Sequence, residues 1–134
     1  MNMYKIVVAA LAALLVASCT KEQMQANMDK AKATLAAINQ GAKVTASAVR
    51  QAIDAACENQ AAVGMASATA RTILIQQTGP NTTQNIDNLD RAMEAYTSVC
   101  AAAADPGRSD LSSLLARAIA AYAAVQRAQA KAGV

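Results

Sequence analysis

Residues 82–104 read TTQNIDNLDRAMEAYTSVCAAAA and carry the clearest helical pattern in the chain. Their larger apolar residues recur at alternating spacings of three and four, which places them on one face of an α-helix. The members of this stripe are Ile86, Leu89, Met93, Tyr96, Cys100 and Ala103. Because Cys100 belongs to the stripe, we predict that it faces a helical core.

The sequence on both sides of this segment is also helical in character. The two prolines, Pro80 and Pro106, each adjoin a glycine and so mark loops. Alanine, the residue with the highest helix propensity, recurs between and beyond these loops. We therefore predict an all-α protein, a small bundle of three to four helices that follows an N-terminal signal helix. The predicted helices cover residues 22–39, 42–77, 82–104 and 109–132.

The long segment 42–77 carries a second apolar stripe, which includes Cys57. Its members are Val49, Ile53, Cys57, Ala61, Gly64, Ala68 and Ile75. If this segment and 82–104 form an antiparallel hairpin, Cys57 and Cys100 lie at similar depths on either side of Pro80. In an oxidising compartment the two cysteines would then form a disulfide. The alternative is a pair of buried thiols that pack as small apolar side chains.

The first eighteen residues have the pattern of a secretory signal peptide. Lys5 provides a positive charge, residues 6–17 (IVVAALAALLVA) are an unbroken apolar run, and Ser18 is a small residue before Cys19. The apolar run is shorter than the roughly 20 residues that span a bilayer, which disfavours an uncleaved membrane anchor. We predict that residues 1–18 are removed from an exported bacterial protein.

Residues 15–19, Leu-Val-Ala-Ser-Cys, resemble the lipobox of bacterial lipoproteins. This resemblance implies that Cys19 becomes the acylated first residue and that its lipid attaches the protein to a membrane. Val16 departs from the leucine that is commonest at its position, and an ordinary secretory signal is the alternative. In a Gram-negative host, Thr20 resembles the pattern of lipoproteins sorted to the outer membrane, facing the periplasm.

The predicted domains follow from this assignment. Residues 1–18 are the signal peptide, 19–40 a lipid-attached helix or stalk, and 41–134 the helical bundle. Assigning Cys19 to lipid leaves Cys57 and Cys100 as an even pair.

The amino-acid composition of the mature chain argues against catalysis and against metal binding. The chain has no His, Trp or Phe, so it lacks the commonest metal ligand and proton-transfer side chain. Two carboxylate pairs at helical spacing, Asp54/Glu58 and Asp90/Glu94, are expected on solvated faces, and Arg50 lies one turn before Asp54. We predict no catalytic residue, no metal and no cofactor.

The charge pattern excludes further classes of function. Lys5 is the only charged residue of 1–18, so the mature chain keeps 11 of 12 basic residues against 9 acidic ones, a net charge of +2. This balance is too mild to predict a nucleic-acid partner, and the basic residues are scattered along the sequence. No small-molecule substrate is indicated either.

The functional prediction is a non-enzymatic cell-envelope lipoprotein with a structural or interaction role. The alternative is a soluble periplasmic binding module for a small apolar ligand or a protein partner. Segment 109–132 is poor in polar residues, which predicts either a central helix or an alanine face that meets a partner or a second copy. The chain also resembles murein-linked envelope lipoproteins, but these end in a lysine, whereas Lys131 is followed by three residues.

Overall fold

The structure, a computed structural model, describes residues 22–134. Over this range the protein is all-α, as predicted, and its helices form a packed bundle. The helices are α1, residues 22–39, α2, Ala46–Cys57, α3, Gln60–Gln76, α4, Thr82–Ala103, and α5, Leu111–Ala130. The predicted signal peptide and the predicted lipidation site Cys19 lie outside the described residues.

The predicted helix 42–77 is a bent helix in two parts. A turn at Glu58 and Asn59 separates α2 from α3. The stripe of α2 is buried as expected at Val49 and Ile53. Beyond the turn, the buried face of α3 consists of Val63, Ser67, Ala70 and Leu74, none of which belonged to the predicted stripe.

The predicted stripe is therefore wrong beyond Cys57, and the helical repeat explains the error. Each step of four residues overshoots a full turn of the helix by about 40°. Two consecutive steps of four, from Val49 to Cys57, already move the stripe by about 80°, and the turn at Glu58 and Asn59 then interrupts the regular helix. The consequence is that Ala61 and Ala68 are exposed, and a Cβ built at Gly64 would meet no atom within 4 Å.

The predicted antiparallel hairpin forms between α3 and α4, but α2 is not part of it. After the loop at Pro80, α4 runs back along α3, and Leu74 and Ala70 pack with Leu89 in a small apolar cluster. By contrast, α2 packs mainly against α5 and touches α4 less extensively. Among α2 to α5, the most extensive contact joins α4 and α5. Helix α5 contacts α2, α3 and α4, as a central helix would, and α4 likewise contacts the other three helices of this set.

Helix α1 packs on the larger of two apolar clusters. Met28 and Ala31 are fully buried there, and Met24, Leu35 and Ile38 are partly buried. A hydrogen bond from Asn27 to Glu58, 3.4 Å, places the early part of α1 beside the end of α2. Since a short loop also joins the end of α1 to the start of α2, these two helices are antiparallel.

Glycines in the left-handed region follow the C-terminal ends of α1 and α5. Gly41 has φ +81° and Gly133 has φ +79°. At Gly41 its own N–H donates to the carbonyl of Ile38, and the N–H of Ala42 donates to that of Ala37. This pair of bonds is the Schellman motif, which satisfies carbonyls that the helix end leaves open. A residue with a Cβ is strained in this conformation.

Two glycine substitutions with opposite expected effects test this assignment. Gly41→Ala should lower the free energy of unfolding by about 1 kcal/mol, because alanine is strained at positive φ. Gly64→Ala is the matched control inside α3, where the added methyl group meets nothing. There the substitution should stabilise the protein by about 0.5–1 kcal/mol, because alanine favours the helix. Urea unfolding gives both values, and equal effects would contradict the assignment.

Candidate functional site

Cys57 and Cys100 form a disulfide that joins the end of α2 to α4. Cys100 is 4% exposed and belongs to the main apolar cluster, and Cys57, which is partly buried, packs against that cluster. The alternative of two packed thiols is thus not what the structure contains. The bond links positions 43 residues apart in sequence, and the loop that it closes includes all of α3.

Tyr96 provides a second link between the same two helices. Its ring is fully buried, and its hydroxyl donates to the carbonyl oxygen of Ala56, 2.5 Å away. Ala56 is in the last turn of α2, where the carbonyls have no partner within the helix. The ring of Tyr96 also lies at an angle to the ring of Tyr122, and the two ring centroids are 6.0 Å apart. Cys100 and Tyr96 are one turn apart on α4, so together they hold the end of α2.

Removal of the disulfide should destabilise the protein strongly. We expect Cys57→Ala with Cys100→Ala to lower the free energy of unfolding by about 2–4 kcal/mol, because the unfolded chain regains the freedom that the link removes. Urea unfolding by circular dichroism measures this loss. The wild-type protein in reductant is the control and should lose a similar amount. Equal unfolding midpoints with and without the disulfide would contradict its structural role.

Tyr96 should make the stability of the protein depend on alkaline pH. Burial, together with the nearby Tyr122, raises the pKa of Tyr96 to about 12 from 10.0. Because the pKa is higher in the folded state, the neutral hydroxyl contributes its full stability below pH 10. That contribution should decline as the pH rises from about 10 to about 12, as urea unfolding over this range would show.

The matching variant is Tyr96→Phe. At neutral pH we expect it to cost about 1–2 kcal/mol, because the carbonyl of Ala56 loses its partner in the core. Above pH 10 its unfolding free energy should fall less steeply than that of the wild type. Tyr122 retains part of the pH dependence, because burial also raises the pKa of this residue. Identical slopes for the two proteins would contradict the assignment to Tyr96.

Arg50 holds the end of α4 instead of pairing with Asp54. Its guanidinium donates from Nη1 to the carbonyl of Ala103 and from Nη2 to that of Asp105, 3.3 Å away. Cations at a helix C-terminus satisfy open carbonyls and interact well with the helix dipole. The start of α2 is thereby joined to the end of α4.

The predicted carboxylate pairs lie on exposed surfaces. Asp54, Glu58, Asp90 and Glu94 are all exposed. Asp90 forms an ion pair with Arg71 of α3 at 3.2 Å. Among residues 22–134, no three His, Cys, Asp or Glu side chains are grouped as a metal site would require.

A buried polar pair was not anticipated from the sequence. Gln129 of α5 donates from Nε2 to the hydroxyl oxygen of Ser67 on α3, at 3.0 Å, and both residues are buried. The bond satisfies two polar groups that would otherwise be costly to bury. A serine and a glutamine 62 positions apart carry no sequence signal of such pairing.

A groove of about 550 Å³ lies between α4 and α5. Its walls combine basic and amide side chains with alanines, and no acidic residue lines it. The lining residues are Asn85, Asn88, Arg91, Ala92, Ala124, Arg127, Ala128 and Lys131. Basic residues that are scattered in the sequence are thus brought together by the antiparallel packing of two helices.

Helix α3 also exposes large apolar side chains. Met65 is 74% exposed and Ile75 is 56% exposed. They lie on the face of α3 that carries Ala61, Gly64 and Ala68, away from the buried face. This face carries the predicted stripe beyond Cys57, and it is exposed within the bundle formed by residues 22–134.

Comparison of the chain with protein families, with characterised proteins and with solved structures finds no match. Within residues 22–134, none of the helices is long and apolar enough to cross a bilayer.

Proposed function

We propose that this protein is a non-enzymatic lipoprotein of the bacterial cell envelope. In this proposal, acyl chains on Cys19 hold a disulfide-linked helical bundle at the periplasmic face of a membrane. The bundle then serves a structural or interaction role, and in a Gram-negative host the membrane is the outer one.

The observation that carries the proposal is the Cys57–Cys100 disulfide. Disulfides form and persist in oxidising compartments such as the periplasm, which supports export of the chain. Of the three cysteines, this pairing leaves only Cys19, at the end of the apolar run 6–17. The disulfide therefore supports separate roles for the three cysteines, one for attachment and two for stability.

The position of α1 supports a bundle held close to the bilayer. The helix is described from residue 22, three residues after Cys19, and it packs on the core through Met28 and Ala31. Three residues of extended chain span at most about 11 Å, so residue 22 lies within that distance of Cys19. Two or more acyl chains are needed for firm attachment, since a single chain binds membranes only reversibly.

An interaction role draws support from the surface. Met65 and Ile75 expose apolar area on α3, and exposed apolar patches often mark contacts with other molecules. Alanines around them leave room for a close approach. The carboxylates, in contrast, are exposed and dispersed, an arrangement typical of solvated helix faces.

Intact mass of the protein from the membrane fraction of a bacterial expression host tests the proposal. We expect a species that begins at Cys19, carries added acyl mass and gains two hydrogens on reduction. Globomycin, which blocks lipoprotein signal peptidase, should cause the precursor to accumulate. Both results follow from acylation of Cys19 before the signal peptide is cleaved.

Two variants serve as matched cysteine controls. Cys19→Ser should abolish the acyl mass, whereas Cys57→Ser with Cys100→Ser should keep it, because lipidation depends on residues 15–19. A mature, unacylated protein whose processing is unaffected by globomycin would contradict the lipoprotein. That result would favour the alternative, a soluble periplasmic binding module for a small ligand or a protein partner.

A further inference from the structure

The groove between α4 and α5 gathers positive charge from two helices. Arg91 projects from α4, and Arg127 and Lys131 project from α5. Asn85 and Asn88 add amide groups along the α4 side. Alanines form the floor, and Ala92 and Ala128 are buried, so the basic side chains surround a hollow and not a ridge.

These three basic residues have no ion-pair partner among the described residues. The ion pairs of residues 22–134 are Arg71–Asp90, Arg108–Asp110 and Arg117–Asp110. The acids of α4 near Arg91 are Asp87, Asp90 and Glu94; all three are exposed, none lines the groove, and Asp90 pairs with Arg71. The groove therefore presents three positive charges without an acidic residue in its lining.

Helix stability explains part of this arrangement but not all of it. Arg127 and Lys131 lie at the C-terminal end of α5, where cations stabilise a helix. Arg91 lies in the middle of α4, far from either end of that helix, yet lines the same groove. Its convergence with the other two is a property of the pairing of the helices.

We propose that this groove binds an anionic ligand through a phosphate group. A phosphate group carries one negative charge as a diester and up to two as a monoester, and its two or three free oxygens accept hydrogen bonds, which matches three cations with amide donors beside them. Arginine binds such groups with two parallel hydrogen bonds. The phosphate can belong to a lipid headgroup or to a soluble phosphoester. The phosphate site does not rest on acylation of Cys19, whereas the argument for a lipid headgroup does.

The direction of α1 gives the lipid source a structural rationale. Tyr96 contacts the end of α2, and the groove residues of α4 continue from there toward its N-terminus. Helix α1 is antiparallel to α2. Its N-terminal end, residue 22, therefore lies on the same side as the N-terminal half of α4. The groove thus lies toward the end of the bundle from which Cys19 would lead to the membrane.

Nuclear magnetic resonance of the ¹⁵N-labelled protein in zwitterionic micelles tests the proposal. One titration adds sodium phosphate at constant ionic strength, since salt screens exposed charges. A second adds phosphatidylglycerol to the micelles. We expect saturable shifts of the amide signals of Asn88, Arg91 and Ala128 in at least one titration, with soluble phosphate binding at about 1 mM.

Two double variants distinguish binding by the groove from an effect of the protein's overall charge. Arg91→Gln with Arg127→Gln should weaken binding about tenfold, as expected for two exposed charge contacts. Lys30→Gln with Lys32→Gln removes the same charge from the exposed surface of α1 and should leave the affinity unchanged. Should the groove double variant unfold, Arg91→Gln alone should still weaken binding about threefold.

The outcomes assign the source of the phosphate or overturn the proposal. Saturation by phosphatidylglycerol alone identifies a lipid headgroup, and saturation by soluble phosphate alone identifies a soluble phosphoester. Both results together support a general phosphate site. Absence of saturable shifts in both titrations, or equal weakening by the two double variants, would overturn the proposal.

Discussion

The end of α2 is held to α4 by two adjacent contacts, and this junction fixes how the end of α2 meets the α4–α5 pair. The Cys57–Cys100 disulfide joins the two helices covalently, and one turn away Tyr96 donates to the carbonyl of Ala56. Helix α1 packs along α2, and α3 leaves α2 at the turn that follows. The junction therefore determines where both the N-terminal helix and α3 meet the α4–α5 pair.

A strong junction is useful because alanine contributes little apolar area. Burial of apolar surface stabilises a fold by about 25 cal/mol per Å², and an alanine offers only one methyl group. The core accordingly relies on a few larger side chains at separate levels, among them Tyr96, Leu89 and Leu115. Between these levels, alanines allow α4 and α5 to approach each other closely. The disulfide adds stability without needing a larger core.

The high alanine content also shapes the surface. Along the α4–α5 pair, buried alanines leave a groove whose rims are long basic side chains. On α3, the face of alanine and glycine remains uncovered and carries Met65 and Ile75. The two features lie on different helices and differ in chemistry, one polar and positively charged and the other apolar. A small helical bundle can thus offer two unlike surfaces on one compact scaffold.

The sequence by itself determined the fold class, the loops at the two prolines and the buried face of α4. These features depend on local propensity and on helical periodicity, both of which are read within one segment. It also indicated that Cys57 and Cys100 would meet, since both lie on apolar faces on either side of one loop.

Only the tertiary structure decided the turn at Glu58 and Asn59 and the face that α3 buries. A small error in phase accumulates over many residues, so periodicity cannot set the face of a long alanine-rich helix. The Ser67–Gln129 bond and the meeting of Arg91 with Lys131 were equally invisible in the sequence. Such contacts join residues far apart in the chain, and their formation depends on how whole helices pair.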